Sequence, residues 1–234
     1  MGRQVKGLLY FYFAEGRFSL MVFWAILMSV VIVILPISFL IKDVEGAFMS
    51  LSLTGPMYIY CAVYGFLQVK EGIPYSIKMG ATRKSIMVSM GLFFLTLSVS
   101  KAVVGNTLHV LIELLNKQIG IENFRFLHLA YFLEENTWLN RVIIDSSIMF
   151  MLFALLFAMG LLFYRFGLTG GGLVLAAMII VLLIGAAQGW LIDFIVFLSK
   201  RFDLLLFGQI ALFGLVIYLL SLLLVRRITT VKVR

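Results

Sequence analysis

Long runs of apolar residues, separated by short polar segments, dominate the chain from residue 18 onward. Each run is about twenty residues long, the length that an α-helix needs to cross roughly 30 Å of hydrocarbon. The runs predict six membrane-spanning helices, over residues 18–41, 49–69, 86–107, 142–164, 171–190 and 204–225. We therefore expect an all-α polytopic membrane protein with one transmembrane domain over residues 1–234.

The composition agrees with this pattern, because 63% of the 234 residues are hydrophobic and only 13% are charged. Soluble domains are about half apolar and about a quarter charged. The net charge of +8 does not indicate nucleic-acid binding, since the basic residues flank the apolar runs instead of clustering on one soluble face.

The basic residues are divided unevenly between the two sides that six crossings would create. The segments on the side of the termini hold twelve basic and two acidic residues, whereas the rest of the chain holds seven basic and nine acidic residues. Four of the twelve, Arg226, Arg227, Lys232 and Arg234, follow the last run. Cytoplasmic segments carry an excess of Lys and Arg, so both termini are expected in the cytoplasm.

The polar segment over residues 70–85 has the signals of a short helix followed by a turn. Pro74 can occupy the first turn of a helix, and Gly80 can end one because it tolerates the left-handed conformation. Thr82 can cap the next helix. We expect a short cytoplasmic helix on the membrane surface, leading into the third span.

Three further segments lie outside the predicted spans. Residues 4–17 are too short to cross and combine Tyr and Phe with basic residues, which is typical of an interfacial amphipathic helix. Residues 108–141 are expected to form an outer loop that covers the outer surface. Residues 189–203 are predicted to form a re-entrant or outer-surface helix, which needs protein or water around its free backbone groups.

The sequence contains no phosphate-binding loop, since no lysine follows its Gly-rich stretch at residues 167–172. We interpret that stretch as a cytoplasmic turn. Cys61 is the sole cysteine, so an internal disulfide is excluded and a zinc site is not indicated. We predict no enzymatic activity, no metal and no cofactor bound by this chain.

An intramembrane protease is the enzyme alternative. A serine type needs a nucleophilic Ser, but Thr169 stands at that place and lies at the opposite face from His109 and His128. A glutamate type needs an arginine after paired glutamates, but Leu139 follows residues 134–135 at that spacing. Neither pattern is complete.

Lys101, Asp145 and His109 are the candidates for a substrate path. Lys101 falls two-thirds of the way through the third span, where a lysine is costly unless it snorkels outward or faces water. Asp145 near the start of the fourth span is a possible partner. His109 and Glu113 share a helix face, which suggests a solvated helix end or one part of a metal site whose other ligands are not evident.

The layout resembles that of permease subunits of type-2 ABC transporters, particularly the small six-span permeases of Gram-positive bacteria. An aromatic helix before the first span, a short helix between spans two and three, and a broken region before the last span all fit. The stretch Gly80-Ala81-Thr82-Arg83-Lys84 matches the Gly-x-[ST]-Arg-[Lys/Arg] pattern that commonly precedes the third span in that family.

The resemblance implies a bacterial cytoplasmic membrane protein that pairs with a second copy or a related permease. Separate ABC ATPase subunits would hold ATP and Mg. Residues 4–17 would be the elbow helix and residues 70–85 the coupling helix. The coupling residues would be Lys70, Glu71, Tyr75, Lys78, Gly80, Thr82, Arg83 and Lys84.

The cargo that the resemblance favours is an amphipathic or hydrophobic molecule, most of all a toxin or antimicrobial peptide. Extrusion of antibiotics or sodium is an alternative, although few ionisable residues fall within the spans to form an ion path. A membrane sensor or immunity protein that works without an ATPase is an alternative of another class.

Overall fold

The computed structural model describes residues 2–42, 44, 48–121, 124–133 and 135–225. Glu134 and the four basic residues after position 225 lie outside the described residues. The helices are α1 (Gly2–Leu40), α2 (Thr54–Lys70), α3 (Gly72–Lys78), α4 (Arg83–Ile119), α5 (Trp138–Ala187), α6 (Trp190–Lys200) and α7 (Leu204–Val225), with a 3₁₀ helix at Leu129–Phe132. Two short strands, β1 (Met49–Leu51) and β2 (Phe124–Phe126), pair in parallel. The all-α class is confirmed, apart from this small ribbon.

Four of the described helices are long and apolar enough to cross a membrane: α1, α4, α5 and α7. The bounds of α7 coincide with the predicted last run. The helix in the predicted second run is shorter than the run, because the first residues of the run form β1 and the helix α2 has only 17 residues. The predicted fourth run lies within α5, which has 50 residues, and the predicted fifth run lies in α5 except for its last three residues.

The helix α5 folds back on itself at Gly167. This glycine has φ 70° and ψ −173°, which only glycine adopts readily. A Cβ at Gly171 would lie 2.9 Å from the Cα of Phe163, eight residues earlier. Eight residues of a straight helix span about 12 Å. The chain therefore reverses, and α5 consists of two limbs, residues 138–166 and 168–187.

The first limb of α5 lies in the middle of the bundle, between α2, α4 and α7. Gly65 lets α2 approach closely, since a Cβ there would lie 2.8 Å from the carbonyl oxygen of Phe153. The ring of Phe153 stacks on that of Phe94 at 4.8 Å between centroids. Buried aromatic side chains of this kind contribute apolar area and favourable ring geometry together.

The contacts along the first limb also fix the directions of its neighbours. The helix α2 runs parallel to this limb, and α4 runs antiparallel to it. The contacts that show this are Tyr58 and Asn106 with Asp145 near one end, and Gly65 and Phe94 with Phe153 further along. The starts of α1 and α4, the helix α3 and the Gly167 turn consequently lie together, at what we call the basic end. The strands, the 3₁₀ helix and the start of α5 form the opposite end.

The helix α1 is continuous over 39 residues, so the break predicted near residue 17 is absent. Residues 4–17 are helical, but they are the first part of α1 and not a separate element. The reason is one packed face of buried and half-buried residues at three- and four-residue intervals: Leu8, Tyr12, Gly16, Leu20, Phe23, Leu27 and Val31. At 1.5 Å per residue, α1 is about 58 Å long, nearly twice the thickness of a hydrocarbon core.

The predicted outer loop over residues 108–141 is partly helical. The helix α4 continues to Ile119, where Gly120 ends it in the left-handed conformation, and α5 begins at Trp138. The backbone between them carries β2 and the 3₁₀ helix, which packs Ala130 against Ile144 and Phe207. Among the described residues of this segment, β2 and the 3₁₀ helix are the part that covers the end of the bundle.

The second limb of α5 and the helix α6 are apolar and mostly exposed. The segment 189–203, predicted as a re-entrant or surface helix, contains α6, which starts after the left-handed Gly189. The second limb of α5 is apolar around almost its whole circumference, as helices in membranes or in the interiors of large proteins are, whereas α6 also carries the exposed Asp193. These two elements have the surface expected of chain that contacts lipid or another protein.

Candidate functional site

The segment that joins α2 to α4 has the local structure that its sequence predicts. Pro74 lies in the first turn of α3, and Gly80 adopts φ 74° just beyond its end. The Thr82 hydroxyl accepts a hydrogen bond of 3.2 Å from the backbone N–H of Ser85, which caps α4. These three predictions are confirmed.

Side-chain contacts hold α3 and the start of α4 against the first part of α1. The hydroxyls of Tyr12 and Ser76 lie 2.8 Å apart and are buried. The rings of Phe11 and Tyr75 stack at 4.3 Å between centroids. The Ser85 hydroxyl donates to Gln4 at 3.1 Å. The three elements therefore form one packed unit at the basic end.

The outer face of this unit carries the residues that the sequence singled out. All eight are exposed: Lys70, Glu71, Tyr75, Lys78, Gly80, Thr82, Arg83 and Lys84. Beneath them Ile73 is fully buried. Arg3 and Lys6 are also exposed, on the turns of α1 beside Gln4. This arrangement presents a cluster of positive charge on a well-packed base, which suits an acidic partner surface.

A buried polar network lies at the opposite end, with Asp145 at its centre. The carboxylate is fully buried and accepts hydrogen bonds from Tyr58 at 2.5 Å and Asn106 at 2.6 Å. His128 is the third partner, with its Nε2 at 3.1 Å. Three donors from three parts of the chain thus satisfy one carboxylate and hold α2, α4, α5 and the 3₁₀ helix together.

The hydrogen bonds of His128 assign its protons. Its Nδ1 accepts from the backbone N–H of Ala130 at 2.9 Å, so the hydrogen of the neutral ring is on Nε2, which donates to Asp145. Both ring nitrogens are engaged in hydrogen bonds, so neither has a free lone pair that could accept a proton from a nucleophile. This geometry does not suit the histidine of a serine protease.

His109 is buried beside this network and does not lie at a solvated helix end. Its ring packs on Phe126 at 4.3 Å between centroids, and its Nε2 lies 3.4 Å from the Tyr131 hydroxyl. Glu113, one turn further along, is on the exposed side and pairs with Lys117 at 3.8 Å. The described residues contain no group of three or more His, Cys, Asp or Glu side chains placed for a metal ion.

Lys101 neither snorkels to the surface nor pairs with Asp145. Its Nζ lies 3.5 Å from the ring centroid of Phe23 and 3.6 Å from that of Tyr60, so the amine is held between two aromatic faces. The residue is 2% exposed. The partners of Asp145 are the three donors named above. The two candidates therefore belong to different sites.

Sequence reasoning missed Tyr58, Asn106 and His128 as parts of one site. The signal available was weak: Asn106 is a strongly polar residue inside an apolar run, and His128 follows three apolar residues and one arginine at positions 124–127. Nothing local relates them to Asp145, from which they lie 87, 39 and 17 residues away in sequence.

A groove of about 660 Å³ opens at the opposite end, between the end of α4 and β2. Its walls include the apolar side chains of Ile121, Phe124 and Phe126 and the charged side chains of Lys117 and Arg125. Apolar walls with a few polar groups are typical of sites for small amphipathic ligands.

Comparisons of the chain with models of protein families, with curated proteins and with solved structures give no match.

Proposed function

We propose that the chain is the permease subunit of an ATP-driven ABC exporter in a bacterial cytoplasmic membrane. Its substrate is an amphipathic or hydrophobic molecule, in the first place a peptide toxin or antimicrobial. ATP and Mg bind to separate ABC ATPase subunits. The chain crosses the bilayer six times, through α1, α2, α4, the two limbs of α5 and α7, with both termini in the cytoplasm.

The observation that carries this proposal is the packed unit of α1, α3 and α4 at the basic end. A coupling element must be exposed to a motor and joined firmly to the helices that it moves. The outer face of α3 is exposed, and its inner face is joined to α1 through Tyr12 and Ser76. A side-chain hydrogen bond between Ser85 and Gln4 joins the start of α4 to α1 as well.

The coupling step follows from these contacts. Closure of the ATPase dimer pushes on the exposed residues of α3 and on the α3–α4 turn. Because protein interiors are close-packed and transmit displacement, α1 and α4 move with α3. Lys101 belongs to α4 and Phe23 of α1 packs on its amine, so motion at the basic end changes the surroundings of Lys101 in the middle of the bundle.

A second permease copy, or a related permease, completes the transport unit in this proposal. The second limb of α5 supports it, because its apolar side chains are exposed along most of its length. Lipid covers whatever part of this limb the second permease does not.

The test is charge reversal at the coupling turn. The double variant Arg83→Glu/Lys84→Glu and the double variant Lys117→Glu/Arg125→Glu at the opposite end carry the same change in net charge. Each full-length chain is purified from membranes of the native host with an affinity tag, and ABC ATPases that co-purify are quantified by mass spectrometry. We expect an ATPase with the unaltered chain and with the second variant, and a loss of about ten-fold or more with the first, since rim charges steer and orient association.

Equal recovery of the ATPase with both variants would remove the assigned coupling role. Absence of any ABC ATPase from the unaltered chain would favour the sensor or immunity class, which acts without one.

A further inference from the structure

We infer that Lys101 and the aromatic rings around it form a binding site for one anionic group, a carboxylate or a phosphate, carried by an amphiphile dissolved in the membrane. The inference deepens the proposed function, because it gives the transported molecule a negative headgroup. The binding step itself requires only this chain.

The first step of the argument concerns the ammonium group of Lys101, which lacks a hydrogen-bond partner among the described residues. Lys101 is buried, and its Nζ makes no hydrogen bond in the described part of the chain. Lys101 takes part neither in the ion pair of Glu113 with Lys117 nor in that of His128 with Asp145. Buried polar groups are almost always paired. Ionisable residues inside membrane proteins generally mark substrate or ion pathways.

The second step is the aromatic cage. Phe23 comes from α1 and Tyr60 from α2, and their ring faces lie on the ammonium at 3.5 and 3.6 Å. Trp24 is further away, at 5.7 Å. Cation–π contacts stabilise a cation but supply no hydrogen-bond acceptor, so the three N–H donors of the group stay available. An anionic oxygen is the ligand that satisfies them best.

The third step is access from the lipid. Phe23 and Tyr60 are only half-buried, and the hydrogen bond of 3.1 Å between Ser19 and Tyr60 is on the exposed surface. One layer of side chains therefore separates Lys101 from the outside of the bundle. The neighbouring α1 residues Met21 and Ile26 are exposed and apolar, as expected for a lipid-facing surface. Rotation of the Phe23 and Tyr60 side chains opens the site without moving a helix.

The charge of the site selects the class of ligand. Lys101 is the cationic side chain in contact with this cage, and the nearest buried network, around Asp145, already has its three donors. A ligand with one negative headgroup and an apolar body places its charge on Lys101 and its tail along α1. A neutral amphiphile of the same shape leaves the ammonium without an acceptor and binds more weakly.

The test uses Trp24 as an internal reporter. In the Trp138→Phe/Trp190→Phe background Trp24 is the remaining tryptophan, since the chain has three. The purified full chain in an uncharged detergent is titrated with dibromostearate, whose bromines quench nearby tryptophan, and with its methyl ester. We expect the acid to quench with an apparent affinity at least about ten-fold higher than the ester, which is the size of one charge-assisted hydrogen bond.

Three variants accompany the titration. Lys101→Met removes the charge at nearly constant volume and is expected to abolish the preference for the acid. Lys101→Arg keeps the charge and is expected to keep the preference. Lys42→Met is the matched control, because Lys42 also lies over an aromatic ring, Phe39 at 4.5 Å, but is exposed.

The source of the anion is resolved with brominated phospholipids in nanodiscs. Stronger quenching by phosphatidylglycerol than by the zwitterionic phosphatidylcholine assigns the phosphate of a net anionic lipid to the site, and a preference for dibromostearate alone assigns a free carboxylate. Equal quenching by acid and ester, or a preference that survives in a folded Lys101→Met protein, overturns the inference. Neither result depends on an ATPase, so the two proposals fail separately.

Discussion

At the scale of single residues, burial distinguishes the charged side chains that the sequence could only place along the chain. Lys101, His109 and Asp145 are all nearly inaccessible, but they have different surroundings. Asp145 is satisfied by three donors, His109 packs against an aromatic ring, and the Lys101 amine lies on two ring faces without a hydrogen-bond partner among the described residues. Asp145 is therefore a structural centre, whereas Lys101 retains the capacity to bind.

Replacing the buried carboxylate tests this distinction. Asp145→Asn replaces one carboxylate oxygen by an NH₂ group, which cannot accept a hydrogen bond. At least one of the donors Tyr58, Asn106 and His128 therefore loses its acceptor. Each unsatisfied buried donor costs about 1–3 kcal/mol. We expect the free energy of unfolding to fall by about 2 kcal/mol, measured by thermal unfolding in an uncharged detergent. Asp193→Asn on the exposed face of α6 is the control and should leave the unfolding temperature unchanged. Equal effects of the two variants would contradict the assigned network.

At the scale of elements, two helices differ in length from their apolar runs, for opposite reasons. The packed face of α1 continues past residue 17 through the half-buried Leu20 and Phe23, so packing against α4 keeps the helix intact where composition suggests a break. In α5 the Gly167 backbone leaves the helical region, so one long apolar stretch becomes two antiparallel limbs. Helix ends thus depend on backbone geometry and on a continuous buried face more than on local polarity.

The reversal of α5 requires a backbone conformation at Gly167 that residues with a side chain rarely adopt. In Gly167→Ala a side chain must adopt φ near 70° with ψ near 180°, which costs about 1–3 kcal/mol. We expect a matching loss in the free energy of unfolding. Gly172→Ala is the control: it has no atom within 4 Å of an added Cβ and lies in helical backbone, so it should be neutral or slightly stabilising. A Gly167→Ala protein as stable as the control would show that the reversal does not need this conformation.

At the scale of the whole molecule, the bundle is polarised along its length. The basic end gathers the start of α1, the helix α3 and the start of α4, with Lys78, Arg83 and Lys84 exposed. The opposite end holds the strands, the 3₁₀ helix and the buried Asp145 network. The helices between them are coated with apolar side chains. Such a distribution fits an orientation with the basic end in the cytoplasm.

Cysteine labelling tests this orientation. Cys61 is the only native cysteine and is buried, so it should react little with a membrane-impermeant maleimide. Lys78→Cys should be labelled in inside-out vesicles and protected in intact cells. Leu139→Cys, exposed at the opposite end, should give the reverse. Labelling of Lys78→Cys from outside intact cells would overturn both the orientation and the proposed coupling to an ATPase.

The sequence by itself determined the features that depend on neighbours along the chain. Apolar runs of about twenty residues dictate long helices, and Gly80 and Thr82 dictate the turn and cap before α4, because their conformations and hydrogen bonds are local. The excess of basic residues at one end of the runs can likewise be counted from the sequence, because it does not depend on tertiary contacts.

Only the tertiary structure decided which helix faces meet. The contacts of Asp145 with Tyr58, of Lys101 with Phe23, and of Ser85 in α4 with Gln4 in α1 join residues 87, 78 and 81 positions apart. Nearly every position in these runs is apolar, so periodicity does not single out one buried face. The partner of each buried charge is set by packing summed over whole helices, which no local pattern encodes.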